Sequence, residues 1–211
     1  VTYFQQPLPF RNNHFLKGLV FWLLVVWILA AIEPYNRRDW LLENLLVVIY
    51  GALLALTYRR FTFSNLSYAL FGIFMTLHLI GSHYTYAEAP FGYWIQALFE
   101  TKRNHYDRIV HFAYGLLIAY PFREFLIRVV RVGVSWSYIL AIITIIAFSA
   151  SYEIIEAVVA DIVSPELGSM WLGTQGDEWD AQKDTALASC GALLAMLVTW
   201  SVVRLHESRV K

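Results

Sequence analysis

Two glutamates three residues apart, Glu153 and Glu156, stand inside the apolar run Tyr138–Val163, where two leucines would carry no electrostatic cost. A lone charge at a bilayer centre costs about 2.5–3.5 kcal/mol on insertion scales. Neighbouring carboxylates cannot both stay charged without a compensating partner. Four further polar groups accompany this pair: Asp39 to Asn44, His78 to Glu88, Asn104 to Phe112 and Gly173 to Asp184. At about 100° per residue, Asp107 and His111 share a helical face, as do Glu153 with Glu156 and Asp39 with Glu43. Asp177, Asp180 and Asp184 share one too if their stretch is helical. Such spacings let facing helices of a bundle supply ligands to one interior site.

Converging histidines and carboxylates are the donor set of a hard or borderline divalent ion such as zinc, magnesium or manganese. The candidate ligands are His83, His111, Glu153, Asp177, Asp180 and Asp184. Such an ion activates water and stabilises charge on a phosphoryl or carbonyl oxygen. Glu156 or Asp107 would act as general base. Arg108 and Arg103 would hold an anionic head group, the bidentate contact that suits a guanidinium, with Tyr84 and Gln175 also against the substrate. The reaction class this implies is hydrolysis or group transfer on a lipid or lipid-linked head group. No HExxH, cysteine pair or EF-hand loop accompanies the set.

Two other classes compete. Carboxylates at membrane depth also mark proton and cation carriers, but no inverted repeat is visible and the polar groups gather towards one face. A non-catalytic assembly protein would tolerate amides at Glu153 and Glu156.

The elements that must position these residues are spanning helices. Hydrophobic residues make up 58% of the 211 and charged ones only 15%, against about 25% in soluble domains. Mean hydropathy is +0.51. Net charge is zero and no basic stripe is present, which excludes the electrostatic footprint of a nucleic-acid binder. Cys190 stands alone, so there is no intrachain disulfide framework. Six segments reach the roughly 20 apolar residues of a span: Phe15–Ile32, Leu41–Tyr58, Leu66–His83, Ile109–Leu126, Tyr138–Val163 and Asp184–Val203. With no water to satisfy the backbone, they must be helices. The expectation is a single all-α membrane domain over residues 1–211. Ten Lys and Arg, from Arg11 to Lys211, fall on the side holding both termini and six, from Arg37 to Lys183, on the other. The positive-inside rule then places both termini in the cytoplasm and the acid-rich loops outside.

Several of these residues also have a plainer role. Asp39, Asp107 and Asp184 suit helix N-termini as caps, and His78 suits a bond to a neighbouring helix. Trp40, Trp94, Trp171 and Trp179 look like interfacial aromatics. Gly191 and Ala192 allow close helix packing. Arg123 and Glu124 form a polar step that anchors an inner helix end. Caps leave Glu153, Glu156 and His111 without an explanation.

The strings GSHYTYAEAPFG (Gly81 to Gly92), NHYDRIVHF (Asn104 to Phe112), SYEIIE (Ser151 to Glu156) and LGTQGDEWDAQKD (Leu172 to Asp184) resemble the YjdF family of bacterial inner-membrane proteins, a domain family of unknown function. The resemblance runs from about Pro34 to Leu197. It implies a bacterial inner-membrane location, multi-pass with the site towards the periplasm, and one intact domain. More remotely, Asp107…His111-Phe112, Glu153/Glu156 and Asp180…Asp184 look like the pattern of VanZ-like membrane proteins, which are linked to glycopeptide resistance. The Gln and Arg that follow their Glu are not matched here. Neither resemblance supplies a reaction.

Overall fold

The computed structural model describes residues 8–210, so Lys211, counted above for orientation, lies outside them. The described residues form eight α-helices and no strand: α1 (His14–Ala30), α2 (Arg37–Thr57), α3 (Asn65–His83), α4 (Pro90–Leu98), α5 (Tyr106–Phe125), α6 (Val134–Ile162), α7 (Pro165–Leu172) and α8 (Asp180–Val210). Local chemistry sets several of the starts. Asn13, Ser64 and Ser164 each accept a backbone N–H of the following turn, and Asn36 accepts two. Such caps satisfy donors that the helix itself cannot. Pro90 and Pro165 open α4 and α7, where the missing N–H costs nothing.

The helices α2, α3, α6 and α8 are long and apolar enough to cross a membrane, and α1 is an apolar helix of 17 residues. Large hydrophobic side chains such as Phe21, Leu56, Leu98 and Ile162 are exposed on the outside of the bundle, the surface a bilayer covers. The helix α5 is more polar than these four because it carries Asp107, Arg108, Arg123 and Glu124. It packs on α3, α6 and α8, so its charges turn inward.

The helices begin earlier than the apolar runs indicate, and at α2, α5 and α8 this changes the capping account. The cap of α2 is Asn36, and Asp39 is buried within the first turn. His105 stands at the α5 cap position without capping the helix; its Nε2 instead meets the Thr101 hydroxyl at 3.0 Å. α8 starts at Asp180, so Asp184 lies a full turn inside. The expected caps are therefore interior residues. The short helices α4 and α7 had no counterpart among the expected spans, because neither is long enough to cross.

The closest packing in the bundle is between α5 and α8. A Cβ on Gly115 would run into the Ala188 carbonyl oxygen, and one on Gly191 into the Phe112 carbonyl oxygen and the Leu116 nitrogen. Ala188, Ala192 and Ala195 continue the same small-residue face, all buried. Without a hydrophobic force between helices in lipid, such close backbone approach maximises dispersion contact. Gly115 lies one turn below His111 on α5, and Ala188 one turn below Asp184 on α8.

Two other expectations change. Trp40 and Trp171 are buried rather than interfacial, 7% and 8% exposed, whereas Trp94 and Trp179 stay on the surface. Trp40 stacks on Trp27, 6.3 Å between rings. Glu124 does more than anchor a helix end. Fully buried, it accepts the Ser64 backbone N–H at 2.9 Å, the Ser64 hydroxyl at 2.7 Å and the Ser67 hydroxyl at 2.5 Å, and pairs with Arg128. It ties α5 to the positive N-terminal end of α3.

Gly191→Leu forces α5 and α8 apart, an overpacking of about 1–3 kcal/mol. Thermal unfolding of the purified protein in detergent should show the loss, and the exposed Gly18, with open space around it, should tolerate the same change.

Candidate functional site

All five polar groups meet at one end of the bundle. The N-terminal turns of α5 bring Asp107, Arg108 and His111, and those of α8 bring Asp180 and Asp184. The C-terminal third of α6 brings Glu153 and Glu156, the first turns of α2 bring Glu43, and the last turns of α3 bring His78.

Donor atoms of Asp107, His111 and Asp184 lie within 4.8 Å of one another. His111 Nε2 is 3.5 Å from Asp107 Oδ1 and 3.6 Å from Glu153 Oε1. Asp184 is 2% exposed and its Oδ1 has no hydrogen-bond partner; Glu153 Oε1 also has none. Ligand atoms on one ion, at about 2.0–2.2 Å each, are at most about 4.4 Å apart. Small side-chain rotations would therefore close Asp107, His111 and Asp184, with Glu153 adjacent, around a divalent ion.

A wall of ion pairs stands beside this triad. Arg103 holds Asp180 through both terminal nitrogens, at 2.6 and 2.9 Å, and approaches Asp107 at 3.5 Å. Arg108 pairs with Asp177 and lies 3.5 Å from Asp180. Lys183 completes the arrangement with two contacts to Asp177, at 2.8 and 2.6 Å. The Lys183 ammonium, followed by the Trp179 backbone N–H and Arg108, pulls the Asp177 carboxyl down to about 2. Asp177 lies in the turn before α8 rather than on its face.

The site residues expected from the sequence sort as follows. Asp107, His111, Glu153 and Asp184 come together; Asp177 and Asp180 adjoin them but are engaged by arginines and lysine. Arg103 and Arg108 are directed at those carboxylates instead of being offered to a head group, because the excess of acid around them claims both guanidinium groups first. Gln175 clamps the Asn104 backbone, accepting its N–H at 2.9 Å and donating to its carbonyl at 3.0 Å. That two-point bond fastens the loop before α8 to the loop before α5. His83 points away from the cluster: its Nδ1 is 3.0 Å from the Ala30 carbonyl, and its ring lies edge-on to Tyr84. Both close the α1–α3 end, since α3 runs out of helical turns just there.

Glu43, noted for its face shared with Asp39 but not among the expected ligands, belongs with the site, as do Tyr86 and Tyr152. Glu43 is 3% exposed with Oε2 unpartnered, and the Tyr152 hydroxyl stands against its carboxylate. Its signal was the four-residue spacing from Asp39. Tyr86 is turned back into the bundle by a loop in which Thr85 and Tyr86 both adopt left-handed backbone, φ 52° and 53°. A β-branched residue there is a strained outlier, and such strain gathers at functional sites. The Tyr86 ring fills the space where Gly81 lacks a side chain, and its hydroxyl reaches His78 Nδ1 at 2.5 Å. His78 Nε2 lies 3.2 Å from the Glu43 carbonyl, the bond to a neighbouring helix anticipated for it.

A cavity of about 430 Å³ opens beside these groups. Glu43, His78, Tyr86, Asp107, His111, Tyr152 and Glu156 form its polar end, and Leu46, Ile49, Leu53, Phe74 and Phe148 its apolar remainder.

The fold and this end of it define a multi-pass helical membrane protein with a buried histidine–carboxylate cluster. The family model described as "Predicted membrane protein (DUF2238)" matches residues 15–205, and the chain belongs to that family. It is 35% identical over 176 residues to the protein named "Inner membrane protein YjdF" of Escherichia coli (strain K12), covering 83% of this chain and 84% of that one. These matches support a bacterial inner-membrane location. No solved structure matches.

The depressed Asp177 value gives a sign for acid behaviour. Its pairing stabilises the fold above the ordinary value of 3.8 and is lost as pH falls towards about 2. The thermal midpoint difference between the protein and Asp177→Asn should be level near neutrality and shrink only as pH drops through that range.

Proposed function

We propose that the protein is a metal-dependent hydrolase or group transferase acting on a membrane lipid or lipid-linked head group. One observation carries the reading: the Asp107, His111 and Asp184 donor atoms converge within 4.8 Å beside a cavity that Asp107, His111 and Glu156 line. The charge balance supports it. Eight buried or half-buried carboxylates (Asp39, Glu43, Asp107, Glu153, Glu156, Asp177, Asp180 and Asp184) gather at this end of the bundle, with Arg103, Arg108 and Lys183 paired among them. Buried charge without a counter-charge is strongly unfavourable, and a divalent ion offsets two of the excess.

In this reading Asp107, His111 and Asp184 hold the ion, with Glu153 beside them. An ion held there would supply Lewis-acid polarisation of a phosphoryl or carbonyl oxygen and lower the pKa of a water. Glu156 takes the proton of that water as its oxygen bonds to phosphorus or carbon, and returns the proton to the departing alkoxide. Asp180 and Arg103 fix the start of α8 so that Asp184 meets His111. In this reading α1, α2, α3, α5, α6 and α8 are six spans, and the Lys and Arg distribution supports cytoplasmic termini with the cluster towards the periplasm.

Elemental mass spectrometry of detergent-purified protein should find a near-stoichiometric divalent ion, lost in Asp184→Asn and His111→Ala. Added ion at 100 times its Kd should raise stability by about 2.7 kcal/mol in the unaltered protein alone. Absence of metal in all three, with no stabilisation on addition, overturns the reading and leaves protons to balance the carboxylates. A fluorescent protein fused after Lys211 should fluoresce, as the cytoplasmic terminus requires; a dark fusion that is active as a periplasmic phosphatase reporter reverses the orientation.

A further inference from the structure

The cavity extends along α2 beyond the triad, and much of its lining is apolar, as a hydrocarbon chain requires. Along α2 it runs from Glu43 through Leu46, Ile49 and Tyr50 to Leu53. Ten residues of helix span about 15 Å, half of the roughly 30 Å hydrocarbon core and hence the depth of one leaflet. The ionisable acids and histidines sit at the Glu43 end. Beyond them Phe74 and Phe148 line the wall, with the hydroxyl-bearing Tyr50, Tyr114 and Ser149 between them.

The cavity is also open sideways. Both α2 and α6 line it, yet α2 packs on α3 and α7 and not on α6. Ile49 and Leu53 on one lip and Phe148 and Ile155 on the other are each more than half exposed. The gap therefore faces the surrounding lipid at membrane depth. Polar atoms inside await a partner: Glu43 Oε2 and Ser149 Oγ line the cavity, belong to residues only 3% exposed, and make no hydrogen bond. Three carboxylates, Glu43, Asp107 and Glu156, face the polar end, and no Lys or Arg is among the lining residues. A bare anionic group has no counter-charge there, whereas a protonated amine does.

We propose that this cavity binds a zwitterionic membrane lipid, which enters laterally between α2 and α6, lays one hydrocarbon chain along Leu46–Leu53 and presents a protonated amine to Glu43 and Glu156. The inference rests on the hydrolase or transferase reading for what happens to the lipid, and names its substrate class. Binding itself depends on the slot alone. Asp184, a proposed metal ligand, does not line it.

The test is photo-crosslinking of the full-length protein reconstituted in vesicles doped with phosphatidylethanolamine carrying a diazirine in one acyl chain. Peptide mapping should place label on Phe74, Tyr114 or Ser149, which are buried or half-buried and beyond the reach of lipid merely surrounding the bundle. Unlabelled phosphatidylethanolamine should compete this label away more effectively than phosphatidylglycerol of the same chains. Ser149→Trp fills the slot and should lose most of it while label on outward residues such as Leu56 persists; Leu46→Trp serves if that variant does not fold. Asp184→Asn should keep the slot label while losing metal, which separates this inference from the metal reading. Label confined to outward residues in a protein that still binds metal overturns the slot and spares the metal centre. Equal competition by both lipids overturns the amine.

Discussion

The approach of α5 to α8 is the constraint on which the rest depends. His111 and Asp184 can meet only because, one turn deeper, Gly115 and Ala188 bring the two backbones into contact. Side chains three and four residues apart on a helix share a face, so a contact at the lower turn sets the separation at the upper one. In lipid no hydrophobic force presses helices together, and dispersion over small residues takes its place. The same contact puts α5 at the centre, shielding four charged side chains that would be costly against hydrocarbon.

Around that axis the polar end is held from outside by ion pairs and by a loop clamp. Arg103 binds Asp180 and the Thr174 carbonyl, and Gln175 binds the Asn104 backbone. These contacts fasten the start of α8 to the start of α5 at the level of the donor atoms. Their effect is to hold Asp107 and Asp184 on either side of His111 although the two carboxylates repel each other. The residues that fasten and the residues left unfastened are therefore distinct sets, although all are polar and adjacent.

Much of this was legible in the chain. Apolar run length gave the six long helices, because a span must satisfy its own backbone. The i, i+4 spacing of Asp107 and His111 and the polar interruption at Glu153 and Glu156 marked the cluster. What the sequence could not carry was rotation and competition. His83 lies on the strings that carry the family resemblance, yet the end of α3 turns it to Ala30. Arg103 and Arg108 looked available for a head group, but carboxylates from α8 and its preceding turn, distant in sequence, occupy them first. Trp40 and Trp171 sit at the depth of interfacial residues and are buried because α2 packs on α7, which no local signal records. The cavity, formed where α2 and α6 fail to meet, is a property of the assembled bundle only.

The opposite end of the molecule supplies an internal comparison. Glu124 is as deeply buried as any residue of the cluster, and it accepts three hydrogen bonds from Ser64 and Ser67, pairs with Arg128 and stands at a helix N-terminus. A buried acid used for structure is thus fully satisfied in this fold, as the cost of an unmet charge demands. Asp39 Oδ1, Glu43 Oε2, Glu153 Oε1 and Asp184 Oδ1 accept no hydrogen bond. The bundle has serines, a helix dipole and arginines with which to satisfy a carboxylate, and at the His111 end it leaves four of them incomplete. Leaving polar atoms buried without partners is costly, and this difference between the two ends, one acid fully satisfied and the others not, is the observation on which the proposal of a bound ligand rests.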